Sequence, residues 1–147
     1  MKNTLAHTLW ECKYHIVWIP KKRRKVLYGK LQHEIRTILK RLCEYKKVEI
    51  VEGKLCEDHV HLCLSIPPKY SVSDIVGYLK GRSAIIIFEK YSGMGRNFKG
   101  QSFWARGYSV GTVGKDEKVI REYIRSQESR EEEEENTVKV GNYRWKI

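Results

Sequence analysis

The segment DHVHLCLSIP, residues 58–67, alternates between apolar and polar side chains, and this alternation decides the fold. Successive side chains of a β-strand point to opposite faces. One face of this segment would carry only apolar side chains: Val60, Leu62, Leu64 and Ile66. The other face would carry His59, His61, Cys63 and Ser65. The pattern predicts a strand with one face on a hydrophobic core and the other free for chemistry.

The two histidines of this strand point the same way because they are two residues apart. Their Cβ atoms would lie roughly 6–7 Å apart at a rise of ~3.3 Å per residue, so both can reach one divalent cation. Histidine pairs that bind no metal are also common on half-buried strands, so the spacing alone leaves both interpretations open. Cys63 continues the same face, and a His-x-His-x-Cys set would suit zinc.

Periodicity predicts the elements on either side of this strand. An alternating first strand is expected over residues 8–19, with its core face made by Trp10, Cys12, Tyr14, Ile16 and Trp18. His15 would lie on the opposite face, where a surface histidine is the more common case. The other expected elements are a helix over 30–45, a short strand over 47–55, a helix that begins at the capping segment 71–74, a strand over 103–113 and a third helix over roughly 116–130.

The order β-α-β-β-α-β predicts an α+β, ferredoxin-like fold, the split β-α-β arrangement. Two helices would pack on one face of a four-stranded antiparallel sheet. The apolar face of the histidine strand would point toward those helices. The histidine face would then need a cover, and the third helix is the element left to provide it.

The charge of the chain favours a polyanionic partner. The net charge is +11 over 147 residues, a length typical of one domain. A run of five glutamates, Glu131–Glu135, follows the third helix, so the basic excess lies before it. We expect a catalytic domain over residues 1–130 and an acidic tail over 131–147. Nucleic acid is favoured over a membrane surface as the partner.

Basic side chains that would contact DNA phosphates fall in three places. They are the run of Lys21, Lys22, Arg23, Arg24 and Lys25, the outer face of the second helix with Lys80 and Arg82, and the third helix with Arg121 and Arg125. The four cysteines form no CxxC pair, and no apolar run approaches the ~20 residues of a spanning helix. A reduced, cytoplasmic protein is expected, associated with the nucleoid when bound to DNA.

Tyr123 and Gln127 stand one turn apart on the third helix. A tyrosine on a helix face is most often a packing residue, and its combination with two histidines in a basic chain raises a second possibility. Over His59 and His61, the Gln127 amide oxygen would be a third metal ligand. The phenol of Tyr123 would attack phosphorus and form a covalent phosphotyrosine.

Several segments together resemble the small single-tyrosine HUH transposases of insertion sequences that move as single-stranded DNA. The matching segments lie in order between residues 14 and 127, namely 14–18, 23–27, 58–62, 65–81, 103–104, 107–108, 112–114 and 120–127. Residues 65–81 (SIPPKYSVSDIVGYLKG) are the most specific of them. Glu57 and Cys63 depart from that family's usual pattern.

The resemblance implies a nuclease and strand transferase that depends on Mg²⁺ or Mn²⁺. By position it gives Tyr123 as the nucleophile, joined to the 5′ phosphate, and His59, His61 and Gln127 as metal ligands. It also implies a homodimer that recognises hairpin ends of single-stranded DNA. Two other hypotheses stay open on the residues: a non-catalytic hairpin-binding protein of the same fold, and a zinc hydrolase that uses His59, His61 and Cys63.

Overall fold

A four-stranded antiparallel sheet carries two long helices on one face. The computed structural model describes residues 3–5, 8–91, 103–112 and 122–126. The elements are β1 (Asn3–Leu5), β2 (Thr8–Trp10), β3 (Lys13–Trp18), a 3₁₀ turn (Lys21–Arg23), α1 (Gly29–Tyr45), β4 (Glu49–Cys56), β5 (His59–Ser65), α2 (Val72–Lys90) and β6 (Ser109–Gly111). Residues 122–126 are also helical.

The main sheet has the strand order β4-β5-β3-β6, with every neighbouring pair antiparallel. The first and third strands of the β-α-β-β-α-β unit, β3 and β5, are therefore central. This topology confirms the ferredoxin-like prediction. The histidine strand lies at the middle of the sheet, where both of its neighbours fix its position.

The core forms between the sheet and the two helices, as the sequence periodicity predicted. Val60, Leu62 and Leu64 of β5 are at most 4% exposed and point into it. The helices contribute a buried stripe from each side, with Leu31, Ile35, Ile38, Leu39 and Leu42 on α1 and Ile75, Val76, Leu79 and Ile87 on α2. The Ser71 hydroxyl caps α2 by accepting a hydrogen bond from the Asp74 N–H at 3.0 Å.

The prediction of one continuous strand over residues 8–19 is wrong. Thr8–Trp10 pairs with Asn3–Leu5 in a separate two-stranded sheet, and the main-sheet strand begins at Lys13. The reason lies in the partner strand, which ends at Ser65 opposite Lys13. The Cys12 carbonyl still accepts a hydrogen bond from the Ile66 N–H at 2.9 Å, but residues 8–11 have no main-sheet strand opposite them. Trp10 and Cys12 are accordingly only half-buried and do not belong to the core.

The predicted strand over 103–113 is also shorter than expected. Trp104 makes an isolated bridge to Pro20, and only Ser109–Gly111 pairs with β3. Phe103 and Trp104 are buried instead in the main core, where their rings meet edge to face with centroids 4.6 Å apart. Aromatic packing therefore fixes this segment more than sheet pairing does.

Two lysines that we expected outside are inside. Lys80 is 2% exposed, and its ammonium group donates to the carbonyls of Ala105 at 2.9 Å and Gly107 at 2.7 Å. It follows Val76 by four residues, so it lies on the buried stripe of α2. Burial lowers the pKa of Lys80 to about 8. The Lys21 side chain is 1% exposed, whereas Lys22, Arg24 and Lys25 are exposed as expected.

Part of the predicted sequence organisation lies outside the described residues. This applies to Arg121 and Gln127, to the acidic tail, and to all of the expected third helix except 122–126. In the described part of the chain, no helix is both long enough and apolar enough to cross a membrane.

Candidate active site on the histidine face

The sheet face opposite the helices carries the histidines, and we call it the histidine face. In the pairing of β3 with β5, His15 lies opposite Cys63 and Val17 lies opposite His61. Directly opposed residues of paired strands project to the same side. His15 and Val17 therefore share the histidine face, whereas Tyr14 and Ile16 contact the core beneath.

His15 and His61 are in contact across this face. Nδ1 of His15 lies 3.4 Å from Nε2 of His61, and the ring centroids are 5.6 Å apart. The sequence placed His15 on the correct face but favoured an ordinary surface histidine. Strand register, which the sequence alone does not give, brings it against a predicted metal ligand.

Asp58 links His59 to the basic segment after β3. One of its carboxylate oxygens lies 2.8 Å from Nδ1 of His59, and the other accepts a hydrogen bond from Nε of Arg23 at 2.9 Å. Burial alone would raise the pKa of Asp58, but the hydrogen bond from His59 and the charges of His59 and Arg23 hold it below its usual value. With Nδ1 held by the carboxylate, Nε2 of His59 is the nitrogen left to bind a ligand.

Arg23 reaches Asp58 from an unusual backbone conformation. Lys22 and Arg23 have φ values of 58° and 49°, in the left-handed region that disfavours side chains with a Cβ. Such residues cost of order 1–3 kcal/mol each and persist where their surroundings hold them. The Arg23–Asp58 ion pair is one such contact, so this part of the basic run supports the site. The sequence suggested only phosphate contacts here.

The tyrosine segment lies on the histidine face of its own chain. Ile124 is 6% exposed and forms a second, smaller core with Val17, Ile19 and Ala105, against which Tyr123 packs. Because Val17 is paired with His61, this small core adjoins the histidines. The segment thus partly covers the face that lacked a partner, as the sequence led us to expect. Arg125 is exposed on the same segment.

The two strand histidines fit a divalent cation in donor type. Both are half-buried on one face, and a carboxylate that fixes the partner nitrogen, as Asp58 does for His59, is typical of metal-binding histidines. Within the described ranges, no three His, Cys, Asp or Glu side chains converge to hold a metal ion. Further ligands would come from elsewhere, and Gln127 lies outside these ranges.

Cys63 does not add to this donor set. Its side chain is buried, and burial, followed by the negative charge of Glu52, raises the pKa of its thiol above the usual value. Among the residues that the structure describes, His59, His61 and Cys63 do not come together as a group that could hold a metal ion, so a zinc site made of these three is not supported.

A cavity of about 180 Å³ opens beside His61 on the histidine face. His15, Glu52, Lys54, His61 and Cys63 line it. Glu52 and Lys54 come from β4, where they lie opposite Cys63 and His61. Neither residue stands out in the sequence, because only the pairing of β4 with β5 brings them to the histidines.

Comparison with known proteins identifies a family. Residues 8–127 match the family model described as "Transposase IS200 like". The transposases of insertion sequence IS200 from Salmonella typhimurium and Salmonella typhi are each 47% identical over 126 residues, which is 86% of this chain and 83% of theirs. The ISDra2 transposase TnpA of Deinococcus radiodurans is 32% identical over 124 residues, 84% of this chain and 89% of its own.

Solved structures share the fold. A crystal structure of a Deinococcus radiodurans R1 protein described as a transposase superposes with a TM-score of 0.77 at 29% identity, over 86% of this chain and 98% of that one. A REP-associated tyrosine transposase, solved bound to a REP hairpin, superposes with a TM-score of 0.53 at 10% identity, over 83% of this chain and 68% of that one. The second likeness concerns the fold alone.

Proposed function

This chain belongs to the IS200-like transposase family, and we propose that it cuts and rejoins single-stranded DNA at the ends of its element through a covalent bond to Tyr123. The observation that carries the proposal is the docking of Ile124 on Val17 and Ile19. It brings the only phenol of the 122–126 segment beside a sheet face that carries a carboxylate-supported histidine. A tyrosine that served only for packing would not need to lie beside these histidines.

Tyr123 is the nucleophile in this proposal. Its Oη attacks the phosphorus of the cut strand, a 5′-phosphotyrosine forms, and a free 3′-hydroxyl leaves. The energy of the broken phosphodiester is kept in the new bond, so a 3′-hydroxyl can later displace the tyrosine and rejoin strands without ATP. Because the ordinary pKa of tyrosine is near 10, the phenol needs a nearby positive charge to react at neutral pH.

The proposed metal ligands are His59, His61 and Gln127. Bound Mg²⁺ or Mn²⁺ would polarise the phosphodiester and draw charge from its non-bridging oxygens. The chain's own contribution is to orient the ligands. Asp58 fixes the ring of His59 through Nδ1, and Arg23 fixes Asp58.

Basic side chains would bind the DNA backbone. The proposed contacts are Lys22, Arg24, Lys25, Arg82, Arg121 and Arg125. Lys21 and Lys80 no longer belong to this group because their side chains are buried. Arg23 is engaged with Asp58. We extend the proposal to hairpin-shaped DNA ends and to a homodimer, on the resemblance to single-tyrosine transposases described above.

A cleavage assay tests the proposal. A labelled single strand that spans one end of the element is incubated with the protein and Mg²⁺ or Mn²⁺, and covalent adducts are separated on a denaturing gel. We expect the wild-type chain to form an adduct, and Tyr123→Phe to bind the strand without forming one. Adduct formation by Tyr123→Phe would overturn the assignment of Tyr123. Binding by the wild-type chain with no cleavage would favour the non-catalytic hairpin-binding protein instead.

A further inference from the structure

Lys54 of the edge strand β4 projects to the histidine face. It lies directly opposite His61 in the pairing of β4 with β5, and His61 lies opposite Val17 in the pairing of β5 with β3. Lys54, His61 and Val17 therefore form one row across the sheet, with their side chains on the same side. His61 stands between the other two.

The surroundings of Lys54 leave its ammonium group accessible to a ligand bound on the histidine face. The residue is exposed, and it lines the cavity beside His61. No carboxylate in the parts of the chain that the structure describes lies within ion-pair distance of it. As an edge-strand residue, Lys54 also borders a second cavity, on the helix side of the sheet, that Arg36 and Lys40 help to line.

The tyrosine segment occupies the other end of this row. Tyr123 and Ile124 pack over Val17 and Ile19, which belong to β3 and the residue after it. A phosphodiester bound at His59 and His61 would therefore have Tyr123 on its β3 side and Lys54 on its β4 side.

Phosphoryl transfer places the attacking and leaving oxygens roughly in line, on opposite sides of phosphorus. If attack comes from the β3 side, the leaving oxygen must depart toward β4. We propose that Lys54 is a further catalytic residue, the general acid that protonates the 3′-oxygen as it leaves. This inference rests on the proposed function, since it takes Tyr123 as the nucleophile.

The step balances in both directions. In cleavage, the bond from Tyr123 Oη to phosphorus forms and the bond from phosphorus to the 3′-oxygen breaks. The phenol proton passes to solvent, and the Lys54 ammonium group gives its proton to the 3′-oxygen and is left as a neutral amine. In rejoining, the neutral amine of Lys54 accepts the proton of the attacking 3′-hydroxyl while the tyrosine oxygen leaves and is reprotonated.

A substrate with sulfur in place of the bridging 3′-oxygen tests this role. A thiolate leaves without protonation because the pKa of a thiol is about 8.5, far below that of an alcohol. On the ordinary substrate, Lys54→Met should slow single-turnover cleavage by roughly 10²-fold, the usual contribution of a general acid. On the sulfur substrate, we expect its rate to be close to that of the wild-type chain. Equal slowing on both substrates, or no slowing on the ordinary one, would overturn the proposal.

Lys54→Arg separates proton donation from charge. The guanidinium group keeps the positive charge but does not give up its proton at neutral pH. We expect the same pattern as for Lys54→Met: slow cleavage of the ordinary substrate and recovery with the sulfur substrate. Wild-type cleavage of the ordinary substrate by Lys54→Arg would mean that charge alone suffices, and would overturn the general-acid role.

Two controls complete the experiment. Lys40→Met removes an exposed lysine of the helix-side cavity and should cleave both substrates at the wild-type rate. Strand binding in EDTA, measured by fluorescence anisotropy in a Tyr123→Phe background, should change little when Lys54→Met is added. A binding loss as large as the loss of rate would overturn a role in the chemical step. Absence of any adduct with the wild-type chain would instead contradict the proposed function itself.

Discussion

His59 and Asp58, neighbours in the chain, are joined by a 2.8 Å contact between Nδ1 and a carboxylate oxygen. The same carboxylate binds Arg23 at 2.9 Å through its other oxygen. An arginine, a carboxylate and an imidazole thus form one chain of contacts that ends at the proposed metal site. The ion pair with Asp58 is also one contact that helps to hold Arg23 in its left-handed backbone conformation.

Removal of the Asp58 carboxylate should weaken metal binding. Asp58→Asn keeps the size of the side chain but removes its charge, and loss of such an outer partner typically lowers metal affinity 10–100-fold. Titration with Mn²⁺, followed by electron paramagnetic resonance, measures this affinity. Glu57→Gln, at the exposed preceding residue, is the matched control and should leave it unchanged. Equal affinities for Asp58→Asn and the wild-type chain would contradict the supporting role.

Arg23 and Arg24 should differ although they are adjacent. Arg24 is exposed, so Arg24→Ala should lower the affinity for DNA. The slope of log affinity against log salt concentration should also become shallower, by the amount expected for the loss of about one phosphate contact. Arg23→Ala should instead lower Mn²⁺ affinity, because Asp58 loses a partner. Fluorescence-anisotropy titrations at several salt concentrations measure the DNA affinity of each variant, and the Mn²⁺ titration measures its metal affinity. Identical behaviour of the two variants would show that Arg23 does not act through Asp58.

Lys80 should contribute to folding. Lys80→Met leaves the carbonyls of Ala105 and Gly107 without their donor, and a buried unsatisfied polar group costs about 1–3 kcal/mol. We expect the free energy of unfolding in urea to fall by about that amount for each carbonyl that water does not reach. Arg82→Met, on the exposed side of the same helix, should change it by less than about 0.5 kcal/mol. A Lys80→Met protein as stable as Arg82→Met would contradict this role.

The stability contributed by Lys80 should also depend on pH. Its pKa is lowered to about 8 in the folded chain, against about 10.4 when unfolded. Between these values the unfolded chain holds more protons than the folded one, so the free energy of unfolding rises with pH. Urea denaturation at pH 7.5 and pH 9.5 should show wild type gaining stability relative to Lys80→Met. A constant difference between the two proteins would mean that burial does not lower this pKa.

Docking of the tyrosine segment should depend on Ile124. Ile124→Ala removes most of the side chain that packs on Val17 and Ile19, whereas Arg125→Ala changes only an exposed neighbour. We expect Ile124→Ala to speed hydrogen exchange of the 122–126 amides and to slow adduct formation, with the unfolding of the main core little changed. Wild-type cleavage by Ile124→Ala would show that this docked position is not used in catalysis.

Local patterns predicted much of the fold. The alternation of β5 and the apolar stripes of α1 and α2 are determined by nearest neighbours along the chain, so periodicity was enough to find them. The predictions that were wrong concern residues whose positions depend on contacts with segments distant in the sequence. Residues 8–10 alternate as a strand does, yet their partner is β1, because β5 ends opposite Lys13. Lys80 is polar, yet carbonyls more than twenty residues later satisfy it.

The candidate site likewise has residues that the sequence predicted and residues that only the structure brings together. His59, His61 and Tyr123 could be proposed from residue type and spacing, and the structure brings the Tyr123 segment to the histidine face. The contact of His15 with His61 and the row from Lys54 to Val17 depend on strand register. Register is fixed by the whole sheet, so no single segment of the sequence contains it.

The anchoring of the 103–111 stretch limits how far Tyr123 can travel. Trp104 donates to Ser83 at 2.9 Å, Lys80 holds the carbonyls of Ala105 and Gly107, and Ser109–Gly111 pairs with β3. Any displacement of the nucleophile must therefore pivot after Gly111.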